Sequence, residues 1–237
     1  MSIEFRSLPG LTSYEEARAL QQELVEKRVR GEIPDTILFL EHRSVVTRGR
    51  GLQFTGEASR DRHMPFATGL LPAGVEFSES ERGGDLTWHG PGQLVIYPIV
   101  KLDGSAPWAP HHDVAAFLRA MEAWMSRSLA PLGLSTDPRA NATGVWVYPS
   151  DSGSPSSARK IASIGIAIRK WVTWHGIAIN LVNDMSPFSL ISPCGFAPEV
   201  MVRLKDLLPQ VAELQQDASG LSWRPWFEKR LQESFQA

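Results

Sequence analysis

Lys160-Ile161-Ala162-Ser163-Ile164-Gly165-Ile166-Ala167-Ile168 is followed, after Arg169-Lys170-Trp171, by Val172-Thr173-Trp174-His175-Gly176-Ile177-Ala178-Ile179-Asn180-Leu181-Val182. Both runs are rich in β-branched residues, so they read as strands over about 160–168 and 172–182 joined as a hairpin. Because side chains alternate along a strand, Lys160 shares a face with Ala162, Ile164, Ile166 and Ile168. The other face carries Ser163, Gly165 and Ala167, and the partner strand adds Gly176 and Ala178. Small residues side by side either pack tightly under a helix or leave room for another backbone or a ligand; if they form a groove, a thin alkyl chain would suit it better than a ring.

Working outward, Thr36-Ile37-Leu38-Phe39-Leu40, Ser44 to Thr47, Val75 to Ser78, Leu94 to Val100 and Gly144 to Tyr148 also read as strands. Pro98 lacks a ladder donor and implies an edge or a bulge. Ser13-Tyr14-Glu15-Glu16 matches a capping box opening a helix that Gly31 stops. Further helices are expected from near Asp113 to Leu129, from Glu199 through Leu208, and from Trp226 to Phe235. Residues 52–74 and the Ser/Gly/Pro-rich Pro149 to Ala158 read as loops. The pattern predicts an α+β fold with a mixed or antiparallel sheet flanked by helices. It predicts one domain over 1–237, with 198–237 as a C-terminal helical extension.

Composition narrows the partners. The 237 residues are 43% hydrophobic and 21% charged, the make-up of an ordinary globular chain. A net charge of −2 gives no electrostatic case for nucleic acid. The longest strongly apolar run, Leu94 to Val100, is too short to cross a bilayer, and the N-terminus lacks signal-peptide layout. The single cysteine fits a reducing compartment, so a cytoplasmic protein is expected. The six histidines show no H-x-x-x-H pair, and no metal site is expected.

Three features could carry chemistry. Cys194, in Pro193-Cys194-Gly195, is either a small buried hydrophobe or a nucleophile presented on a turn, where it would need a neighbouring base or cation. Lys160 either snorkels to water from the end of its apolar face or is a partly desolvated ammonium able to exchange protons. Arg82-Gly83-Gly84-Asp85-Leu86-Thr87-Trp88-His89-Gly90-Pro91-Gly92-Gln93 is either a turn between strands or a substrate-binding loop offering Arg82, Thr87 and His89. It lacks P-loop spacing, and the chain has no G-x-S-x-G elbow.

Together these residues resemble the lipoyl(octanoyl) transferase family, protein N-octanoyltransferases of lipoate biosynthesis. The resemblance runs through the glycine-rich string, Gly144-Val145-Trp146-Val147, Arg159 to Gly165, His175-Gly176-Ile177-Ala178-Ile179-Asn180 and Pro193-Cys194-Gly195, with Leu40-Glu41-His42 and Thr47-Arg48-Gly49-Arg50 upstream. It implies the fold of biotin and lipoate ligase catalytic domains, an acyl-thioester on Cys194, and Lys160 as the group that lowers the thiol pKa and shuttles protons. It places substrate contacts on Arg82, Gly83, Gly84, Asp85, Leu86, Thr87, Trp88 and His89, on Ser163, Ile164 and Gly165, and on Gly176, Ile177 and Ala178. It implies octanoyl acyl carrier protein as donor and lipoyl domains of 2-oxoacid dehydrogenases and the glycine cleavage H protein as acceptors, with no cofactor. The alternatives are an ATP-dependent lipoate or biotin-type ligase and an amidotransferase between lipoyl domains. Three positions depart from the family pattern: Trp88 stands where Tyr is frequent, Ala197-Pro198 where a Gly is common, and Val202-Arg203 where a Thr-Ser pair is common.

Overall fold

In the computed structural model, residues 3–51, 71–137, 139, 142–148, 158–191, 198–208 and 223–235 are described. The strands are β1 (Ile3–Thr12), β2 (Asp35–His42), β3 (Val45–Arg48), β4 (Glu76–Glu79), β5 (Leu86–His89), β6 (Gln93–Ile99), β7 (Val145–Val147), β8 (Arg159–Arg169) and β9 (Val172–Asn180). The helices are α1 (Tyr14–Val29), α2 (Val114–Leu129), α3 (Leu204–Leu207) and α4 (Trp223–Phe235). A six-stranded sheet runs in the order β1-β2-β6-β9-β8-β7, and a three-stranded sheet runs β4-β3-β5. Only β1–β2 and β3–β4 are parallel, so the architecture is the mixed α+β one that the sequence predicts.

The large sheet is buried on both faces, which is why β2 and β6 read as continuous apolar runs. Ile37, Phe39, Leu94 and Ile96 face one core with Phe117, Met121 and Trp124 of α2 and Phe227, Leu231 and Phe235 of α4. Their strand neighbours Leu38, Leu40, Val95 and Tyr97 face a second core with Ala17, Leu24 and Val25 of α1. Ile164, Ile166 and Ile168 pack on the first core and Ala167 on the second, so the parity read for β8 holds.

Local signals were obeyed where they were self-contained. Ser13 Oγ accepts from the Glu16 amide (3.2 Å) while Glu16 accepts from the Ser13 amide (2.9 Å), completing the capping box of α1. The hairpin turns on Lys170 and Trp171, both with positive φ (49° and 62°), as a two-residue primed turn requires.

One strand was not expected, and three expectations need correction. The first strand, Ile3–Thr12, carries no clean alternation, because it is a half-exposed edge strand. Pro98 sits on neither an edge nor the end of the sheet: β6 lies between β2 and β9. The β6–β9 ladder runs only from Gln93 to Ile96, so the sheet tolerates the missing N–H by opening there. The expected helix from Glu199 to Leu208 is broken into a 3-10 turn, Pro198–Val200, and α3. The backbone between them is used otherwise, with Met201 bridged to Lys160 and the Val202 amide donating to Lys160 O (3.0 Å). The last helix starts at Trp223 rather than Trp226. Of the expected loops, 52–70 and 149–157 lie outside the described residues.

α4 is tied to the sheet through Arg224, which is buried. Its guanidinium donates to Glu228 (2.7 Å) and to the carbonyls of Leu8 (2.5 Å) and Phe39 (3.1 Å), with Glu41 3.6 Å away. Removing one partner of such a pair leaves buried charge uncompensated. Arg224→Ala is therefore expected to lower unfolding free energy by about 3 kcal/mol or more, read from urea denaturation; a loss below about 1 kcal/mol would show that α4 is held by its apolar face alone.

Candidate active site

The glycine-rich segment reaches β5 by passing directly over β8. Gly83 N donates to Ile166 O at 2.9 Å. A Cβ on Gly165 would meet Gly83 O at 2.8 Å, so a side chain there cannot coexist with the crossing. The segment is also stitched to the loop after β3, with Gly49 N donating to Asp85 O, Arg50 N to Arg82 O and Gly51 N to Gly84 O, each at 3.0 Å. Arg82 is buried within this stitch. Its guanidinium donates to Thr47 O (2.8 Å), Asp85 O (2.7 Å) and Gly83 O (3.0 Å), so it braces the loop from inside.

Beneath the crossing lies a narrow slot of about 40 Å³. Its walls are Arg82, Gly83, Gly84, Thr87, His89, Ser163, Ile164, Gly165, Gly176, Ile177 and Ala178, together with Tyr14, Val95, Tyr97 and His175. Strand alternation divides the motif. Thr87 and His89 face the slot, whereas Leu86 and Trp88 face a satellite core with Val46, Phe188, Ile191 and Met201. Asp85 does not line the slot; its carbonyl serves Gly49 and Arg82. The inner end forms where the β6–β9 ladder opens beside Pro98. There His175 takes a positive φ (55°) and gives its amide to Gln21 Oε1 (2.7 Å).

Tyr14, His42, Tyr97 and His175 carried no assigned role in the sequence reading. Their one sequence signal is a polar or aromatic group at a strand or helix position among buried neighbours. Tyr97 donates to His42 Nε2 (2.7 Å), and His42 Nδ1–H donates to Thr12 O (3.1 Å). Tyr14 donates to Ser80 Oγ (2.7 Å) and stacks on His175. Burial lowers the pKa of His42 to about 4, and burial lowers those of His89 and His175 as well. The three rings around the slot are therefore neutral at pH 7. Glu81 is held down to about 2, first by His175, whose Nε2 is 3.6 Å away, and then by Arg18, with which it pairs.

Lys160 opens β8 on the opposite face from Ser163 and is almost wholly buried, 2% exposed. Its Nζ lies 5.7 Å from the centre of the Trp146 ring. Gly144 leaves it space, since a Cβ there would fall 2.5 Å from Lys160 Cε and 3.3 Å from Nζ. Lys160 lines an open groove of about 450 Å³ with Val114 and Leu118 of α2. Groove and slot share Gly83, Gly84, Ile164 and Gly165, so the lysine stands on one side of the crossing and the slot on the other. Cys194 lies outside the described residues, and with it the pairing of thiol and amine. The chain that follows it comes back to Lys160 through Met201 and Val202. Among the described residues no group of His, Cys, Asp or Glu could hold a metal, and no helix is long and apolar enough to cross a membrane.

The model of the lipoyl protein ligase A/B catalytic domain matches residues 13–219. The chain belongs to that family. Its relatives include an octanoyltransferase of Rubrobacter xylanophilus, 42% identical over 82% of this chain and 79% of that protein. Another, from Thermobifida fusca, is 43% identical over 77% of this chain and 70% of its own length. Among solved structures, a bipartite lipoate protein ligase from Thermoplasma acidophilum superposes with a TM-score of 0.59 at 15% identity, covering 100% of this chain and 84% of that one, a likeness of fold. The octanoyltransferase relatives make the protein an acyltransferase, one that acts in lipoate biosynthesis and protein lipoylation.

Two measurements probe this site. Gly165→Ala is expected to displace the crossing and cut acyl-transfer activity by tenfold or more, toward the roughly hundredfold that an ångström of misplacement can cost, in a protein that still unfolds cooperatively; unchanged kinetics would show the crossing to be dispensable. The pH dependence of stability has a definite sign. Below its ordinary value of 6.5, the unfolded chain protonates His42, whereas the folded protein holds it neutral down to about 4. The His42 contribution, about 3 kcal/mol, is therefore lost as pH falls from 6.5 to 4 and is constant below that. His42→Gln is expected to flatten the fall of melting temperature across that window.

Proposed function

We propose that the protein transfers an octanoyl group from octanoyl acyl carrier protein to a lysine of a lipoyl domain, through a thioester on Cys194. In the first half-reaction Lys160 takes the proton of Cys194, and the thiolate attacks the carbonyl carbon of the donor thioester. The bond from that carbon to the carrier's pantetheine sulfur breaks, and the departing thiolate takes the proton from Lys160. In the second, the neutral amine of the acceptor lysine attacks acyl-Cys194, the C–S bond breaks, and Lys160 carries the amine's proton to the leaving Cys194 sulfur. Backbone N–H groups of the glycine-rich segment or beside Cys194 stabilise the oxyanion in each half.

The observation that carries this reading is the position of Lys160. It is buried where an open groove meets a narrow slot, and its backbone is bound by the chain that follows Cys194. The slot suits a thin chain rather than a ring, and burying about six methylenes contributes ~5 kcal/mol of recognition. Thioester exchange is nearly balanced and thioester-to-amide transfer runs downhill, so nucleotide is not needed. The naming of the relatives as octanoyltransferases supports the same choice of acyl group.

Intact-protein mass spectrometry after mixing with octanoyl carrier protein tests it. Wild type should gain one octanoyl group without nucleotide, Cys194→Ser should gain none, and Lys160→Met should acylate about a hundredfold more slowly or worse. Acylation that appears only with ATP, or that survives Cys194→Ser, would assign the protein to the ligase chemistry of its more distant structural neighbours.

A further inference from the structure

Two buried amides, Gln93 and Asn180, have no part in the chemistry above, yet they touch both halves of the site. They face each other across the β6–β9 ladder and are 1% and 0% exposed. Gln93 Nε2 donates to Trp88 O (3.2 Å) and to Asn180 Oδ1 (2.9 Å). Asn180 Nδ2 donates to Val202 O (3.2 Å), and Asn183 Nδ2 donates to Asn180 Oδ1 (3.3 Å). Trp88 O and Val202 O are backbone carbonyls that can only accept. They therefore fix which end of each amide is nitrogen, and no flip is left open. Gln93 Oε1 is then the atom that meets His89 Nδ1, at 2.8 Å, so that nitrogen carries the proton. His89 is held as the tautomer with a lone pair on Nε2, on the wall of the slot. At the far end, Val202 is the residue whose own amide binds Lys160 O.

Resting on the acyl-transfer reading, we propose that Gln93 and Asn180 are positioning residues, a two-amide relay that sets the His89 tautomer in the slot and fixes the chain after Cys194 against Lys160. Each end has only one acceptable partner. A carboxylate at 180 could not donate to Val202 O and would face it oxygen to oxygen. A carboxylate at 93 would still accept from His89 but would lose both donated bonds. It would also favour the imidazolium, against burial and against His42, Arg82 and His175, the other titratable groups around that ring. The geometry joins two places that no sequence spacing connects: one wall of the slot and one flank of the lysine.

Three measurements decide it. The imidazole ¹⁵N spectrum of the wild-type protein should show His89 as the Nδ1–H tautomer at pH 7; an Nε2–H ring overturns the relay, whether or not any variant folds. Asn180→Asp should slow acylation by octanoyl carrier protein about tenfold or more, with donor KM changed by less than about threefold. Gln93→Glu should add an inflection roughly between pH 6 and 8 to the rate profile. A folded Asn180→Asp that acylates at the wild-type rate, or a Gln93→Glu profile superposable on wild type, overturns the proposal. If wild type itself fails to acylate, the acyl-transfer reading has failed, and the tautomer alone decides the relay.

Discussion

The hydrogen bond from Gly83 N to Ile166 O marks the contact on which the site depends. One backbone lies across another at van der Waals distance, and only glycine at 165 permits it. That crossing roofs the slot, and it separates the slot from the groove that holds Lys160 while leaving the two in contact. Much of the surrounding polar structure keeps the crossing in place. Arg82 braces the loop from within, the loop after β3 pairs with it from outside, and Tyr14 and Arg18 of α1 hold Ser80 and Glu81 at its entry.

A second constraint is electrical. The slot is apolar along β8 and β9 but ends among His42, His89, His175, Tyr14 and Tyr97. A charged group there would have to be desolvated, and each histidine stays neutral instead. Neutral rings with fixed hydrogen bonds make a rigid wall that carries no charge near neutrality. The cost falls on acid stability, since the unfolded chain gains protons that the folded one refuses.

Local signals were legible because their partners lie within a turn or two. The α1 capping box, the hairpin at 170–171 and the stop of α2 followed from neighbouring residues alone. β1 was not legible, since an edge strand half in water need not alternate. The residues after Pro198 looked helical until Met201 and Val202 were seen paired with Lys160, a partner far away in sequence. Pro98 read as an edge or a bulge because sequence cannot show that it lies inside the sheet where the ladder opens beside it. In the glycine-rich motif every residue looked alike in importance; strand alternation then sent Thr87 and His89 to the slot and Leu86 and Trp88 to a core.

By itself, the sequence determined the period-two strands, the capped helices, the small-residue face of β8 and β9, and the family to which these motifs point. Those depend on each residue's own size, polarity and neighbours. The tertiary structure decided that the small face is covered by another backbone, that the Arg82 guanidinium braces its own loop, and that Gln93 and Asn180 are hydrogen-bonded behind His89 and His42 behind Tyr97, next to the walls of the slot. Each of those facts is a contact between segments distant along the chain, and hydrogen bonds of that range are set by how the layers pack, not by any local preference.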